Sequence, residues 1–386
     1  MGDPFPAFPT APRAAGGCDV VEHTRPAPHD RCGLVMVTPS GAALSRWAQL
    51  RRGRPTPHDP DRPRPPMTAT TTPRPDPDGL VHRAVPYRDP EHQAVALTAP
   101  VTEALEAGRR ALVVVDPRCA AVLRRSLGHD AGVEFRTPDR MHSAPPFTVA
   151  GRWSRAVREA LADGASGVCT VGQPVELPGA DAAYWTRLDL ALSHALRALP
   201  VELLCCFPDV EADRAHAGAL HDEFLVDGAP VPSGCRRDDH ELLAENPQCP
   251  PDELGPALVT LPVTLDDLGS MRRVVERQAE LSGLGPSRIS DLVLAVNELI
   301  SNGVEHGSGH PVLRMWRTEA GLVSEMSDAA TCRLAFPGLA APPVAGNRGR
   351  GMWLASELSD VLQVWTAEDD PGQVTGTVVR VTMSPP

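Results

Sequence analysis

Glu298 and Asn302, a carboxylate and an amide four residues apart, are the side chains in this sequence best suited to chemistry. Residues at positions i and i+4 of a helix lie one above the other, so these two polar groups would converge on one point. A carboxylate beside an amide oxygen suits a hydrated Mg²⁺ ion and the phosphates that it carries. The alternative interpretation is an ordinary amphipathic helix with a solvated edge.

The segment that positions this pair has the periodicity of a buried helix. Its apolar stripe consists of Ile289, Leu292, Val293, Val296, Ile300 and Gly303. Such a stripe is typical of a helix packed on a core, and we expect its central part to span Asn297 to Asn302. A polar line beside the stripe contains Asp291, Glu298, Asn302 and Glu305.

A second segment with possible chemistry lies downstream, where Gly349 and Gly351 precede the helical pattern Trp353–Leu358. Glycines before a helix let backbone N–H groups approach an anion at the positive end of the helix dipole. Taken alone, this pattern is often just a turn.

The two segments belong to a recognisable order of elements. The helix with Glu298 is followed by predicted strands at Val312–Trp316 and Leu322–Met326, and Asp328 lies at the end of the second strand. The glycine pair and a helix come next. A final hairpin pairs Val361–Thr366 with Gly376–Met383 around Asp370-Pro371-Gly372. The hairpin is indicated by a Pro-Gly turn between two β-type runs.

With these motifs, residues 256–386 resemble the ATP-binding domain of the GHKL superfamily, and most closely the bacterial anti-sigma factors that act as serine/threonine protein kinases. The matching motif is Glu298-x-x-x-Asn302. The resemblance implies an α/β sandwich that binds ATP and Mg²⁺. The family often has a glycine two residues after the aspartate, where this chain has Ala330.

The resemblance also implies roles for single residues. Asn302 would bind Mg²⁺, and Glu298 would position or deprotonate the attacking hydroxyl. Asp328 would accept a hydrogen bond from the adenine amino group. Gly349 and Gly351 would lie in the lid over the phosphates. Thr377, on the last strand, would lie near the nucleotide.

The chain contains no lysine, because all 37 basic residues are arginine. This excludes a P-loop, protein kinases that need a strand lysine, and Schiff-base chemistry. A sensor histidine kinase would need a phosphoacceptor histidine just before the ATP-binding domain, and residues 256–296 contain none. A serine/threonine kinase is the class that remains.

The region before this domain alternates between buried strands and helices, from Ala111–Val115 to Val201–Phe207. Alternation of this kind predicts a mostly parallel α/β sheet. By the order of its elements, the region resembles the MEDS family of sensory domains. The group His216, His221, Asp222 and Glu223 has residue types found in metal sites, although a solvated helix face is the simpler interpretation.

The change in proline content along the chain helps to predict the domain boundaries. Of the 42 prolines, 16 lie in the first 80 residues, which predicts a disordered Pro-rich segment over 1–80. The expected order is then a MEDS-like domain over 81–235, a linker over 236–255 and the ATP-binding domain over 256–386.

The nine cysteines include no C-x-x-C pair, so the sequence gives little support for a zinc site. Cys169, Cys205 and Cys206 are expected to be small core residues.

The sequence thus predicts a cytoplasmic protein, since no apolar run nears the ~20 residues of a membrane span. A net charge of −12 argues against direct contact with nucleic acid. By resemblance, the partners would be an alternative sigma factor and a STAS-domain antagonist, which the kinase would phosphorylate, and the protein would form a homodimer. The alternative is a non-catalytic protein that uses a degenerate GHKL domain as a partner-binding surface.

Overall fold

The computed structural model describes residues 79–128, 132–174, 180–249, 251–330, 332, 334–342, 350–366 and 376–385. Their strands form two separate sheets, one largely parallel and one antiparallel. This confirms the predicted fold class. The predicted Pro-rich segment lies outside the described residues up to position 78, and so do Gly349 and the turn Asp370-Pro371-Gly372.

The first sheet and its helices follow one another in the order predicted from alternation. In chain order the elements are β1 (Leu80–Tyr87), α1 (Pro90–Glu106), β2 (Arg110–Val114), α2 (Pro117–Leu127), β3 (Val133–Arg136), α3 (Pro138–His142), α4 (Pro146–Ala162), β4 (Val168–Gly172), α5 (Ala182–Leu196), β5 (Val201–Pro208), α6 (Glu211–Leu220), β6 (Glu223–Val226) and β7 (Ala229–Pro232). Several of these helices begin at an aspartate cap; Asp89 accepts a hydrogen bond from His92 N at 2.7 Å, for example.

The strands of this sheet lie in the order β3-β2-β4-β5-β1-β6-β7. All neighbours are parallel except the β6–β7 hairpin. Alternate strand residues face opposite layers, because successive side chains of a strand point to opposite sides. Val113 and Cys206 pack with α1 and α2, whereas Leu112 and Leu203 pack with α4 and α5.

The second sheet carries the predicted ATP-binding elements. They are β8 (Val259–Pro262), α8 (Leu268–Leu281), α9 (Pro286–His306), β9 (Val312–Thr318), β10 (Gly321–Asp328), α10 (Arg350–Leu358), β11 (Val361–Thr366) and β12 (Thr377–Met383), preceded by α7 (Asp239–Glu245). The sheet order is β11-β12-β10-β9-β8, and every pair is antiparallel. The predicted final hairpin is therefore present, with Val361 opposite Thr382 and Thr366 opposite Thr377.

Helix α9 is longer than the predicted core, and its buried face is shifted. Ala295 and Leu299 are buried in addition to the predicted residues, whereas Ile289 and Val293 are only partly buried. The reason is that α9 packs against α8 and α10 as well as the sheet. Glu298 and Asn302 both lie beside this buried face, at its half-exposed edge.

Helix α4, which was not predicted, contacts the antiparallel-sheet region. The Thr148 hydroxyl donates to Leu362 O at 2.9 Å and accepts from Leu362 N at 3.0 Å. Arg158 forms an ion pair with Glu357 of α10 at 2.6 Å.

The predicted linker, residues 236–255, contains helix α7, and Leu242 of this helix is buried. Part of the linker is therefore helical and packed. The domain boundaries themselves stay a prediction.

Candidate nucleotide-binding site

Glu298 and Asn302 lie on one side of α9, and the start of α10 is placed directly against them. A β-carbon at Gly351 would lie 3.0 Å from Glu298 Oε2 and 3.0 Å from Asn302 Nδ2. Glycine at this position therefore allows the backbone of α10 to approach both polar groups. The structure thus brings together three residues that the sequence placed in one site.

The Glu298 carboxylate is poorly compensated. Burial raises its pKa above the ordinary value, and the negative charge of Glu305 raises it further. The side chains of Glu298 and Asn302 have no hydrogen bond to another residue within the part of the chain that the structure describes. A raised pKa brings a carboxylate closer to the range in which it accepts a proton effectively near neutral pH, which an ordinary glutamate does not.

The surroundings of this pair fit Mg²⁺ with phosphate. A carboxylate oxygen and an amide oxygen are ligand types that Mg²⁺ takes, and it commonly keeps water and phosphate oxygens as its other ligands. The first turn of α10 lies beside them, at the end of the helix where anions are favoured. Gly349, the other predicted lid glycine, lies outside the described residues.

Asp328 ends β10, as predicted, and its carboxylate is held from several sides. It accepts hydrogen bonds from Ser308 N at 3.0 Å, from Ser308 Oγ at 2.9 Å and from Ala330 N at 2.6 Å. The side chain is buried, and a β-carbon at Gly307 would lie 2.6 Å from Asp328 Oδ2. An adenine amino group would therefore have to share or displace the donors already present.

Thr377 lies opposite Asp328 in the β10–β12 register. Its hydroxyl donates to Ala330 O at 2.7 Å and accepts from Cys332 N at 2.8 Å. Thr377 therefore braces the turn that follows Asp328. Its predicted contact with the nucleotide stays a prediction.

The sequence reasoning missed Gly303, Gly307 and Ser308 as parts of this site. A β-carbon at Gly303 would lie 3.2 Å from Asp328 Oδ2, so this glycine connects the Asn302 end of the site with the Asp328 end. The run Gly307-Ser308-Gly309 after a helix is a turn signal, and it could have indicated that backbone and hydroxyl donors lie there.

Comparisons with known proteins agree with this two-part organisation. Residues 261–383 match the family model of the histidine kinase-like ATPase domain. Residues 81–224 match the MEDS family, the methanogen/methylotroph and DcmR sensory domain. The chain thus contains a MEDS region followed by an ATPase region of the GHKL type, and the predicted resemblances to these two families are confirmed.

Among solved structures, the chain is similar to the RsbU and RsbW domains of Rv1364c from Mycobacterium tuberculosis. The sequence identity is 18% and the TM-score 0.24, over 33% of this chain and 32% of that one. A likeness at this level supports no functional argument, and the match spans only about a third of that protein's length. No curated protein matches the chain significantly. Among the described helices, none has the combination of length and apolar character that crossing a membrane requires.

Proposed function

We propose that this protein is an anti-sigma factor with ATP- and Mg²⁺-dependent serine/threonine kinase activity, controlled by its MEDS domain. The ATPase family match supports nucleotide chemistry. The observation that carries the proposal is the placement of Gly351, at the start of α10, directly against Glu298 and Asn302. This arrangement offers oxygen ligands beside the N-terminal turn of a helix, and a Mg²⁺–triphosphate fits such a place.

Each residue would then have one task. Asn302 would hold Mg²⁺, which, when bound, neutralises charge on the phosphates. Glu298 would orient the attacking hydroxyl and take its proton, a step that its raised pKa favours. Asp328 and Thr377 would form the adenine end of the site, and Gly351, with Gly349, would cover the phosphates. Phosphoryl transfer depends mainly on positioning and charge stabilisation, so a moderate base is sufficient.

The proposed partners follow from the family resemblance. The kinase would phosphorylate a STAS-domain antagonist and bind an alternative sigma factor, as a homodimer in the cytoplasm and without touching nucleic acid. The net charge of −12 suits a partner with a basic surface. Signals would act through the MEDS domain, and α4 contacts β11 and α10 by way of Thr148 and Arg158.

A second candidate function is favoured by a specific observation. Asp328 already accepts hydrogen bonds from Ser308 and Ala330, so its carboxylate is satisfied without adenine. A domain of this kind that binds no nucleotide would serve as a non-catalytic surface for a partner protein. The two candidates differ in whether the chain binds Mg²⁺–ATP.

Calorimetry of the full chain with ATP, in the presence and absence of Mg²⁺, separates the two candidates. We expect Mg²⁺-dependent binding by the native protein and its loss in Asn302→Ala. Asn297→Ala is the matched control, because Asn297 lies on the same helix and its amide oxygen accepts from Arg272 instead. If the native chain does not bind ATP at all, the kinase proposal fails and the partner-binding surface becomes the better account.

Phosphoryl transfer is tested with Glu298→Gln. We expect transfer to a serine or threonine of a STAS-domain substrate to fall roughly 10²–10⁴-fold, because the proton acceptor is lost. ATP binding should be nearly unchanged. Glu305→Gln is the comparison variant, since it keeps the Glu298 carboxylate and removes only one of the two causes of its raised pKa. A Glu298→Gln protein that transfers phosphate at the native rate would disprove the role given to this residue.

A further inference from the structure

Four side chains with metal-ligand chemistry meet in the MEDS domain, far apart in sequence. They are His82 on β1, Asp189 on α5, Cys205 on β5 and His221 immediately after α6. One potential ligand atom from each lies within 4.8 Å of all the others. Because β1 and β5 are adjacent parallel strands with Ala84 opposite Cys205, His82 and Cys205 project from the same face of the sheet, towards α5 and α6.

The distances between these atoms suit a small tetrahedral ion. His82 Nε2 lies 3.1 Å from Cys205 Sγ and 3.7 Å from Asp189 Oδ1, and His221 Nε2 lies 3.4 Å from Asp189 Oδ2. Zinc bonds of about 2.0–2.3 Å in tetrahedral geometry place neighbouring ligand atoms about 3.3–3.8 Å apart. The four groups therefore need only small adjustments to surround one ion.

Both histidines are oriented as metal ligands commonly are. His221 Nδ1 donates to Ala217 O at 2.9 Å, which leaves the lone pair on Nε2, the atom that faces Asp189. His82 Nδ1 is hydrogen-bonded to Ser193 Oγ at 2.9 Å, and its Nε2 also faces the cluster. A second-shell bond to one ring nitrogen fixes the ring and directs the other nitrogen towards a metal.

The cluster is not satisfied by the protein itself. His221 is only 3% exposed, yet its Nε2 has no hydrogen-bond partner within the described ranges, and neither has Asp189 Oδ1.

We propose that His82, Asp189, Cys205 and His221 bind a divalent transition metal, with Zn²⁺ as the best fit. Two imidazoles, one thiolate and one carboxylate are a donor set for zinc, whereas Mg²⁺ and Ca²⁺ require oxygen ligands. On binding, the Cys205 thiol releases its proton to solvent and the sulfur bonds to the metal. The four residues are separate from the nucleotide-binding region, so the test of the metal site does not depend on the proposed kinase activity.

This cluster differs from the group that the sequence suggested. His216 is exposed, and Glu223 forms an ion pair with Arg83 at 2.9 Å, so only His221 of that group belongs to the proposed site. Cys205, which was expected to be a small core residue, is a ligand in this proposal. Its neighbour Cys206 points to the opposite face, into the core with α1 and α2.

The test is metal binding by the full chain after removal of metal with a chelator. We expect titration with Zn²⁺ to show one tight site, and Co²⁺ to give a thiolate charge-transfer band with the strong visible bands of tetrahedral cobalt. Cys205→Ala should abolish the charge-transfer band and weaken Zn²⁺ binding by more than 100-fold, since loss of a second-shell partner alone costs about 10–100-fold. Cys206→Ala is the matched control and should keep both signals.

Further variants separate ligand loss from misfolding. Ser193→Ala leaves all four ligands in place and should weaken Zn²⁺ binding about 10–100-fold, with an unchanged circular dichroism spectrum. His221→Ala should lose the tight site, whereas His216→Ala should retain it. The proposal is overturned if the native chain binds no Zn²⁺ more tightly than Cys205→Ala does, or if Cys206→Ala loses the cobalt spectrum to the same extent.

Discussion

Two aspartates of low exposure in this molecule have opposite surroundings. Asp328, in the ATPase domain, accepts hydrogen bonds from Ser308 and Ala330, and a neighbouring glycine leaves space for its carboxylate. Asp189, in the MEDS domain, faces two imidazoles and a thiol, and one of its oxygens has no partner in the described residues. The two side chains have a similar low exposure, 6% for the Asp328 residue and 13% for the Asp189 side chain.

The difference shows what each carboxylate requires. A buried carboxylate with several donors stabilises the fold around it, because those donors would otherwise lose their partners. A carboxylate of low exposure with an oxygen that lacks a donor costs stability until a cation binds. Asp328 is therefore a structural part of its turn in addition to any role in adenine binding, whereas Asp189 is best explained by a bound ion.

The largest expected effect is that of Asp328→Asn. The amide keeps the shape but replaces one accepting oxygen by an NH₂ group, which would face Ser308 or Ala330 N–H groups. We expect the free energy of unfolding to fall by about 2 kcal/mol, the cost of a buried donor left unsatisfied. Urea denaturation of the full chain, followed by fluorescence, measures it. An unchanged midpoint would mean that solvent replaces the lost acceptor and that the carboxylate is not structural.

The same substitution at Asp189 should have the opposite sign in the absence of metal. Asp189→Asn replaces a carboxyl group that has one unpartnered oxygen and supplies an N–H that can donate to His221 Nε2. We expect a gain of about 1 kcal/mol in a chelator-containing buffer. Zinc at a hundred times its Kd should stabilise the native chain by about 2.7 kcal/mol and the variant by clearly less. A loss of stability without metal would show that the cluster is a satisfied polar network, like that of Asp328.

The sequence was informative where function depends on local spacing. The Glu298 and Asn302 pair was visible because four residues make one helical turn, and Asp328 because it follows an apolar strand. The parallel sheet followed from alternating runs of the β1–β5 region. These features depend on neighbours along the chain, so periodicity reveals them.

The sequence was uninformative where function depends on the fold. His82 and Cys205 are 123 residues apart and meet only because β1 pairs with β5. The hydrogen bonds of Asp328 depend on Ser308, which lies 20 residues earlier and reaches it only through the α9–β9 turn.

Glu298 is a third acidic residue to compare. As for Asp189, we expect its replacement by the amide to stabilise the fold, but by a smaller amount. Its pKa is raised first by burial and then by Glu305, so the folded state binds this proton more tightly than the unfolded chain does. Stability must therefore decrease as pH rises from the unfolded pKa, about 4.3, through the raised folded value. Glu298→Gln has no charge to form, so it should be slightly more stable than the native chain at neutral pH.

Thermal denaturation of both proteins between acidic and neutral pH checks this. The difference in midpoint should be near zero at low pH, where Glu298 is protonated in both states, and should grow with pH in favour of the glutamine variant. Glu305→Gln should give part of the same gain, because it removes the second cause of the raised pKa. If Glu298→Gln were instead destabilising at neutral pH, Glu298 would be held by donors as Asp328 is. Its carboxylate would then be a structural group, and the catalytic role would lose its electrostatic support.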